Sequence, residues 1–168
     1  MAETQSVFTL NEVAKSTRKQ FLSPWKLRYF FLQNLPSAFF WGLKIHRADE
    51  HECQVQLPYS WYSKNPFRSI YFAAQCGAAE LSTGTLAILA LAGKPPISML
   101  VLNVRSEFTK KAVGVTTFTC SDGQKVFATI DEVLASGEPR TITMTSIGAL
   151  ADGTQVSKTE ITWTFKKR

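Results

Sequence analysis

The spacing of apolar residues predicts one long helix in the middle of the chain. After a turn-like segment at residues 65–69, residues 70–92 form the only long run that is rich in Ala and Leu and free of Pro, and Gly93-Lys94-Pro95-Pro96 follows it. Ala and Leu favour helix, Ser69 is a suitable N-cap, and Gly followed by Pro ends helices. We predict a helix of about 22 residues, which would be about 33 Å long.

Alternation of apolar and polar residues predicts strands on both sides of this helix. Before it, Cys53–Leu57 alternates strictly, and a polar turn joins it to an apolar run over residues 39–45 that we interpret as its hairpin partner. Asp152-Gly153 is a strong hairpin signal near the carboxyl end. Strand formers dominate four segments after the helix: residues 98–109, 115–120, 140–150 and 155–166. This order predicts an α+β domain in which an antiparallel sheet curls around one central helix.

Shorter helices are predicted at residues 11–20, from Ser23-Pro24 onward, and at residues 124–135. We therefore divide the chain into an N-terminal helical extension, residues 1–37, and a main domain, residues 38–168. The extension contains Trp25, Phe30 and Phe31 among basic residues. Such a segment suits packing on the domain or binding to a membrane surface. Packing is favoured, because aromatic residues at helical spacing usually belong to a core.

Composition places the chain in the globular class and limits the kinds of molecule that it is expected to bind. It has 168 residues, of which 45% are hydrophobic and 19% charged, as expected for one folded domain. The net charge is +6, but Lys and Arg are scattered and form no basic stripe with exposed aromatic residues. We expect no nucleic-acid partner; solvated surface charge is favoured, followed by an anionic small molecule that carries phosphates.

Cysteine and histidine usage points away from disulfides and metals. Cys53, Cys76 and Cys120 are far apart and fit no metal-binding spacing, and only two histidines are present. Residues 1–5 are polar, unlike a secretory signal. We expect reduced, mostly buried thiols in a cytoplasmic protein without a metal ion.

Two polar residues in and before the central helix are candidates for chemistry. Glu80 lies in the middle of an apolar helix, which argues against a membrane span. Burial disfavours the carboxylate and raises its pKa, which suits a general base near neutral pH. The alternative is a structural carboxylate paired with a buried Arg or with a hydroxyl such as that of Thr83. Asn65 offers an amide to a water or an acyl carbonyl, or serves as a turn residue before Pro66.

The order of elements and the residues around the helix resemble the hot-dog fold of acyl-CoA thioesterases and dehydratases, over about residues 38–167. Phenylacetate-type members have Asn, then Gly three residues later, His-Gly-Gly from six, and an acid at fifteen. At those offsets this chain has Asn65, Arg68, Tyr71-Phe72-Ala73 and Glu80, so only the Asn and the acid match. The motifs NPFxSIYFxA and AELSxG resemble more closely an uncharacterised bacterial branch of the superfamily, a domain of unknown function.

The resemblance implies an acyl thioester such as an acyl-CoA as substrate, with coenzyme A as part of the substrate and no separate cofactor. It implies Glu80 as base or nucleophile, Asn65 as its partner, and backbone N–H groups at Tyr71, Phe72 and Ala73 around the oxyanion. It also implies a homodimer or homotetramer in which Asn65 of one subunit faces Glu80 of the other. Candidate substrate-binding residues are Lys64, Arg68, Thr83, Arg105, Lys110 and Lys111, and an acyl tunnel would come from Leu81, Leu86, Met99 and Val101. The alternative is a non-catalytic module that binds acyl groups or lipids.

Overall fold

A computed structural model describes residues 7–168, so the expectation about residues 1–5 lies outside the described part. This part contains five helices: α1 (Glu12–Phe21), α2 (Pro24–Asn34), α3 (Pro36–Trp41), α4 (Phe72–Leu91) and α5 (Gly123–Ser136). It also contains six strands: β1 (Lys44–Ala48), β2 (Cys53–Leu57), β3 (Ile97–Phe108), β4 (Thr116–Cys120), β5 (Arg140–Leu150) and β6 (Gln155–Lys167).

The six strands form one antiparallel sheet in the order β1-β2-β4-β5-β6-β3. Helix α4 contacts β1, β2, β4, β5 and β6, so the sheet wraps around it. The predicted hairpin at Asp152-Gly153 is confirmed, since β5 and β6 pair on either side of it and Gly153 has a φ of 83°. The predicted α+β hot-dog architecture, with one long helix inside an antiparallel sheet, is confirmed.

Small residues let neighbouring elements approach α4 closely. A Cβ atom on Gly77 would lie 2.7 Å from Cζ3 of Trp41, so the α3 indole occupies the space that a side chain would need. On another side, the buried Ser82 hydroxyl lies 2.8 Å from that of Ser146 on β5. These contacts explain why α4 is buried around much of its circumference, as expected for a helix enclosed by the sheet and the other helices.

Two local predictions were wrong. Ser69 is not the N-cap of α4: the helix begins at Phe72, Tyr71 occupies the cap position without a side-chain bond, and Ser69 is bonded to Asn65 instead. Residues 39–41 are helical and not part of the first strand, which begins at Lys44. Pro36 at the first helical position and Gly42 in the left-handed conformation define α3, whereas short apolar runs do not distinguish helix from strand.

The N-terminal helices share one hydrophobic core with the rest of the chain. Phe31 is fully buried, as predicted, but Trp25 is 70% exposed and Phe30 40% exposed. Asn11 caps α1 and also donates from Nδ2 to the carbonyl of Ala92 just after α4, at 2.8 Å. Helix α3 crosses residues 37 and 38, and the division of the chain there stays a prediction. Within residues 7–168, no helix is both long and apolar enough to cross a membrane.

Strand β3 is an edge of the sheet. It pairs with β6 along its length, and no strand of the described residues pairs with its other side. Leu100, Leu102 and Val104 on this strand are about half exposed. A long apolar edge of this kind favours pairing with another strand.

Candidate functional site

The loop before α4 is built around the side chain of Asn65. Its Oδ1 accepts hydrogen bonds from the backbone N–H groups of Phe67 (3.0 Å) and Ser69 (3.2 Å). Its Nδ2 donates to Oγ of Ser69 (3.1 Å) and to the carbonyl of Ile70 (3.4 Å). Arg68 within this loop has a φ of 60°, in the left-handed region. The amide of Asn65 is therefore used to shape the turn, and its catalytic role stays a prediction.

The first turn of α4 presents backbone donors at the same place. The N–H of Tyr71 donates to the carbonyl of Ser63 at 2.7 Å, so this predicted oxyanion donor is already bonded. Among residues 7–168, the N–H groups of Phe72 and Ala73 have no acceptor, and no side chain caps the helix. Unbonded N–H groups at a helix start favour a negative charge. The N–H groups at two of the three predicted oxyanion positions, Phe72 and Ala73, are thus free to bind a negative charge.

These elements border a cavity of about 540 Å³. Asn65, Tyr71 and Phe72 line it, together with Lys110 and Lys111 from the segment after β3. Aromatic rings form much of its wall. The ring centroids of Tyr71 and Phe72 are 4.8 Å apart, and the ring centroids of Phe72 and Phe108 are 6.3 Å apart. The pocket therefore combines an apolar wall with two amines that can bind an anion. We call it the loop pocket.

The other three basic residues that were predicted to bind substrate lie outside the loop pocket. Lys64 and Arg68 flank the loop but do not line the pocket. Arg105 lies on the exposed edge strand, where it donates to Glu107 at 3.1 Å. Of the five basic residues predicted to bind substrate, the structure brings only Lys110 and Lys111 into the loop pocket.

Gln75 also lines the loop pocket and was not among the predicted site residues. It is 5% exposed, and its Nε2 donates to the carbonyl of Ile70 at 3.3 Å. The Ile70 carbonyl can only accept a hydrogen bond, so it must face the Nε2 end of the Gln75 side-chain amide. The Oε1 atom of Gln75 therefore points away from that carbonyl. Within the described part of the chain, Oε1 is buried without a donor. A polar side chain in the first turn of an apolar helix was the available sequence signal.

Glu80 lies apart from the loop pocket in the single chain. Its side chain lines a cavity of about 90 Å³, whose other walls are mostly apolar side chains of the N-terminal helices, α4 and β3. Two of the predicted tunnel residues, Leu81 and Met99, line this cavity, whereas Leu86 is buried in the core. The loop pocket and the Glu80 cavity have no residue in common. One chain therefore does not bring Asn65 and Glu80 into one site.

The Glu80 carboxylate is unpaired. Burial in apolar surroundings raises the pKa of its carboxyl group. No side-chain or backbone donor of residues 7–168 reaches either carboxylate oxygen. The predicted alternative partner, Thr83, donates instead to the backbone carbonyl of Glu80 (3.0 Å) and accepts from Nε1 of Trp163 (3.0 Å). Thr83 is fully buried, and its role in substrate binding stays a prediction.

The three thiols are free. Cys53 and Cys120 are buried, Cys76 is half-buried, and burial raises the pKa of Cys120 to about 12. Across residues 7–168, no group of three or more His, Cys, Asp or Glu side chains could hold a metal ion.

The sequence of the chain matches the model of a protein family over most of its length. The sequence model of a family described as "Domain of unknown function (DUF4442)" matches residues 25–165. No curated protein is similar enough to the chain to match it.

Solved structures from three bacteria are similar over most of the chain. A Pseudomonas aeruginosa protein described as of unknown function and a "Probable Thioesterase" is 15% identical, with a TM-score of 0.70 over 86% of this chain and 97% of its own. A Chlorobaculum tepidum protein of unknown function is 15% identical, with a TM-score of 0.71 over 88% and 98%. A Haemophilus influenzae thioesterase is 10% identical, with a TM-score of 0.65 over 86% and 91%. At these identities the similarity establishes the hot-dog fold.

Proposed function

The chain belongs to the DUF4442 family, a domain of unknown function, and from its fold and the geometry of its site we propose that it hydrolyses an acyl thioester such as an acyl-CoA. The observation that supports this most is the unpaired Glu80 carboxylate beside an apolar cavity, because a half-buried carboxylate with a raised pKa suits proton abstraction. Two similar solved structures carry the name thioesterase, which supports the same reaction class.

In the proposed reaction Glu80 acts as the base. Its carboxylate takes a proton from a water molecule, and the water oxygen attacks the thioester carbonyl carbon. The carbonyl oxygen becomes an oxyanion, which the free N–H groups of Phe72 and Ala73 stabilise. The carbon–sulfur bond then breaks, and the departing thiolate takes the proton from Glu80, which leaves a carboxylic acid and a free thiol. In a second version Glu80 attacks the carbonyl and forms an anhydride, which water hydrolyses.

The active unit is a homodimer joined along β3, or a homotetramer made of two such dimers. The unpaired edge of β3 with its apolar residues Leu102 and Val104 supports this pairing. The separation of the loop pocket from Glu80 within one chain supports a site shared between chains. The loop pocket of one subunit then faces Glu80 of the other, with Lys110 and Lys111 near the coenzyme A phosphates. A cytoplasmic location remains a prediction.

Release of free thiol from short-, medium- and long-chain acyl-CoAs tests the activity. We expect Glu80→Gln to lower the rate at least about a hundredfold, the lower range for loss of a general base. Glu138→Gln, on the exposed segment after α5, is the matched control and should retain the rate. Equal activity of Glu80→Gln and wild type would refute the role of Glu80. No thiol release from any acyl-CoA by the wild type would refute the proposed hydrolysis.

Complementation between two inactive chains tests the shared site. Glu80→Gln and Asn65→Ala chains are co-expressed, and the mixed dimer is isolated with two affinity tags. If each site combines Asn65 of one subunit with Glu80 of the other, one of the two sites in the mixed dimer is intact and activity returns. A mixed dimer as inactive as both parents would contradict the shared site.

A non-catalytic acyl-binding module is the second candidate. It is favoured by Tyr71 and Phe72, whose rings lie where the resemblance expects a His and a Gly, and where they narrow access to the helix start. Binding of acyl-CoA in calorimetry without any thiol release would support this candidate over the hydrolase.

A further inference from the structure

The N-terminal helices form one wall of the cavity beside Glu80. Phe21 at the end of α1 and Leu27 and Phe31 of α2 line it, opposite Ile88 of α4 and Met99 of β3. Thus the segment that we separated as an extension covers the only carboxylate that the proposed reaction uses. Helix α2 is held there by burial, since Leu27 is 4% exposed and Phe31 fully buried.

A second cavity, of about 240 Å³, lies next to the first. Phe21, Leu27 and Ile45 line both cavities, so these side chains form part of the wall between them. The second cavity runs between the N-terminal helices and β1, and Arg28 and His46 line only this outer part. The first cavity thus borders Glu80, the second borders charged and polar side chains, and the shared apolar side chains lie between the two. We call this pair of cavities the helix slot.

The size of the inner part limits what it can hold. A protein cavity of about 150 Å³ is large enough for a benzene molecule. The cavity beside Glu80, at about 90 Å³, is smaller than that, so it favours a narrow chain over an aryl group next to the carboxylate. A single methylene chain is narrower than a ring and would extend into the outer cavity once the shared side chains, such as that of Leu27, move aside. Each further CH₂ group that is buried adds to the hydrophobic stabilisation, so a longer chain binds more tightly in the slot.

We propose that the helix slot binds the acyl chain, and that the substrate is a straight-chain fatty acyl thioester rather than an aryl or a very short acyl thioester. This inference rests on the proposed function, because it places the thioester carbonyl at Glu80 and the methyl end between α2 and β1. The N-terminal helices are then specificity elements that select chain length and shape. The charged outer end of the slot sets an upper limit to the chain.

Binding of neutral alcohols tests the slot without requiring catalysis. 1-Decanol has a straight chain and a hydroxyl that can donate to Glu80, and it carries no charge for the carboxylate to repel. Isothermal titration calorimetry compares 1-decanol, 1-butanol and benzyl alcohol on the full chain. We expect 1-decanol to bind at least tenfold more tightly than either of the others. No binding of 1-decanol, or tighter binding of benzyl alcohol, would overturn the proposal.

Two filling variants and one matched control locate the bound chain. Leu27→Trp fills the junction of the two cavities, and Leu32→Trp places the same side chain on the exposed face of the same helix, outside both cavities. Ile88→Trp narrows the slot from α4 at a position that is 38% exposed and so tolerates a larger side chain if Leu27→Trp does not fold.

We expect the two filling variants to lower 1-decanol affinity at least tenfold and Leu32→Trp to leave it unchanged. Equal affinity in all three folded variants would overturn the assignment of the chain to the helix slot. If the wild type releases no thiol from any acyl-CoA but binds 1-decanol in this pattern, the proposed hydrolysis fails and the slot stands. If hydrolysis is found but the filling variants do not alter chain-length preference, the slot fails and the hydrolysis stands.

Discussion

The Glu80 carboxylate should lower the stability of the folded chain at neutral pH, so Glu80→Gln should be more stable than the wild type. The carboxylate is half-buried among mostly apolar side chains, and no donor of the described residues compensates for the hydration that it has lost. Leaving a fully buried polar group unsatisfied costs about 1–3 kcal/mol, while a neutral amide in the same place costs less. Because the Glu80 carboxylate keeps some contact with solvent, we expect a gain at the lower end of that range, about 1 kcal/mol.

The pH dependence separates ionisation from other effects. Burial raises the folded-state pKa of Glu80 above its ordinary value of 4.5, so the folded chain binds its proton more tightly than the unfolded chain does. The wild type therefore loses stability as the pH rises from 4.5 through the raised pKa, and the loss is complete above it. The advantage of Glu80→Gln should be full at pH values above the raised pKa and should disappear below 4.5.

Urea denaturation followed by circular dichroism, at one protein concentration, gives these free energies of unfolding. For a chain of this size, each kcal/mol shifts the melting temperature by about 2–4 °C, so the melting temperature should rise by about that much. Glu138→Gln is exposed and should change neither value. A variant less stable than the wild type by more than about 1 kcal/mol at pH 7 would show that the carboxylate has a stabilising partner. An equal gain at pH 4 and pH 7 would show that ionisation is not the cause.

Three further predictions follow from contacts elsewhere in the fold. Asn65→Ala should lower the free energy of unfolding in urea by about 1–3 kcal/mol, because two backbone N–H groups of the loop lose their acceptor. An unchanged value would mean that the hydrogen bonds of the Asn65 side chain do not stabilise the loop. Gly77→Ala should destabilise by about 1–3 kcal/mol although Ala is normally the better helix former, because its Cβ would collide with Trp41; the same change in a Trp41→Leu background should cost less. Ellman's reagent at pH 8 should react with Cys76 and not with Cys120 in the folded chain, because at a pKa of about 12 only about one Cys120 thiol in ten thousand is ionised; rapid reaction of two or more thiols would contradict this burial.

Local sequence signals predicted the elements whose formation depends on a few neighbouring residues. The Ala-rich run became α4, and the alternating segments became β2, β5 and β6. The errors fell where local signals conflict. Residues 39–41 have apolar side chains that suit either helix or strand, and Ser69 has a side chain that can cap a helix or bond to a loop. In both cases a nearby residue determined the outcome. Gly42 ends the short helix α3, and the side chain of Asn65 forms a hydrogen bond with that of Ser69.

The candidate site was predictable in its residue types but not in its arrangement. Glu80 stood out because a carboxylate is rare in an apolar helix, and its burial is what the sequence implied. The use of the Asn65 amide depends on four local bonds that one conformation of the loop provides, and the sequence left turn and catalytic roles equally open. The unpaired Oε1 of Gln75 is visible only when every possible donor around it is known.

Sequence alone determined an antiparallel sheet around one long central helix and the carboxylate at the middle of that helix, because helix propensity, alternation and turn residues act over short distances; the hot-dog fold came from the resemblance to known families. Only the tertiary structure decided that α2 covers Glu80 and that the loop pocket lies apart from it. Those facts depend on the tertiary arrangement that places Leu27 and Glu80, more than fifty positions apart, on the walls of one cavity. Packing between distant segments follows from shape and volume, and no local pattern encodes either.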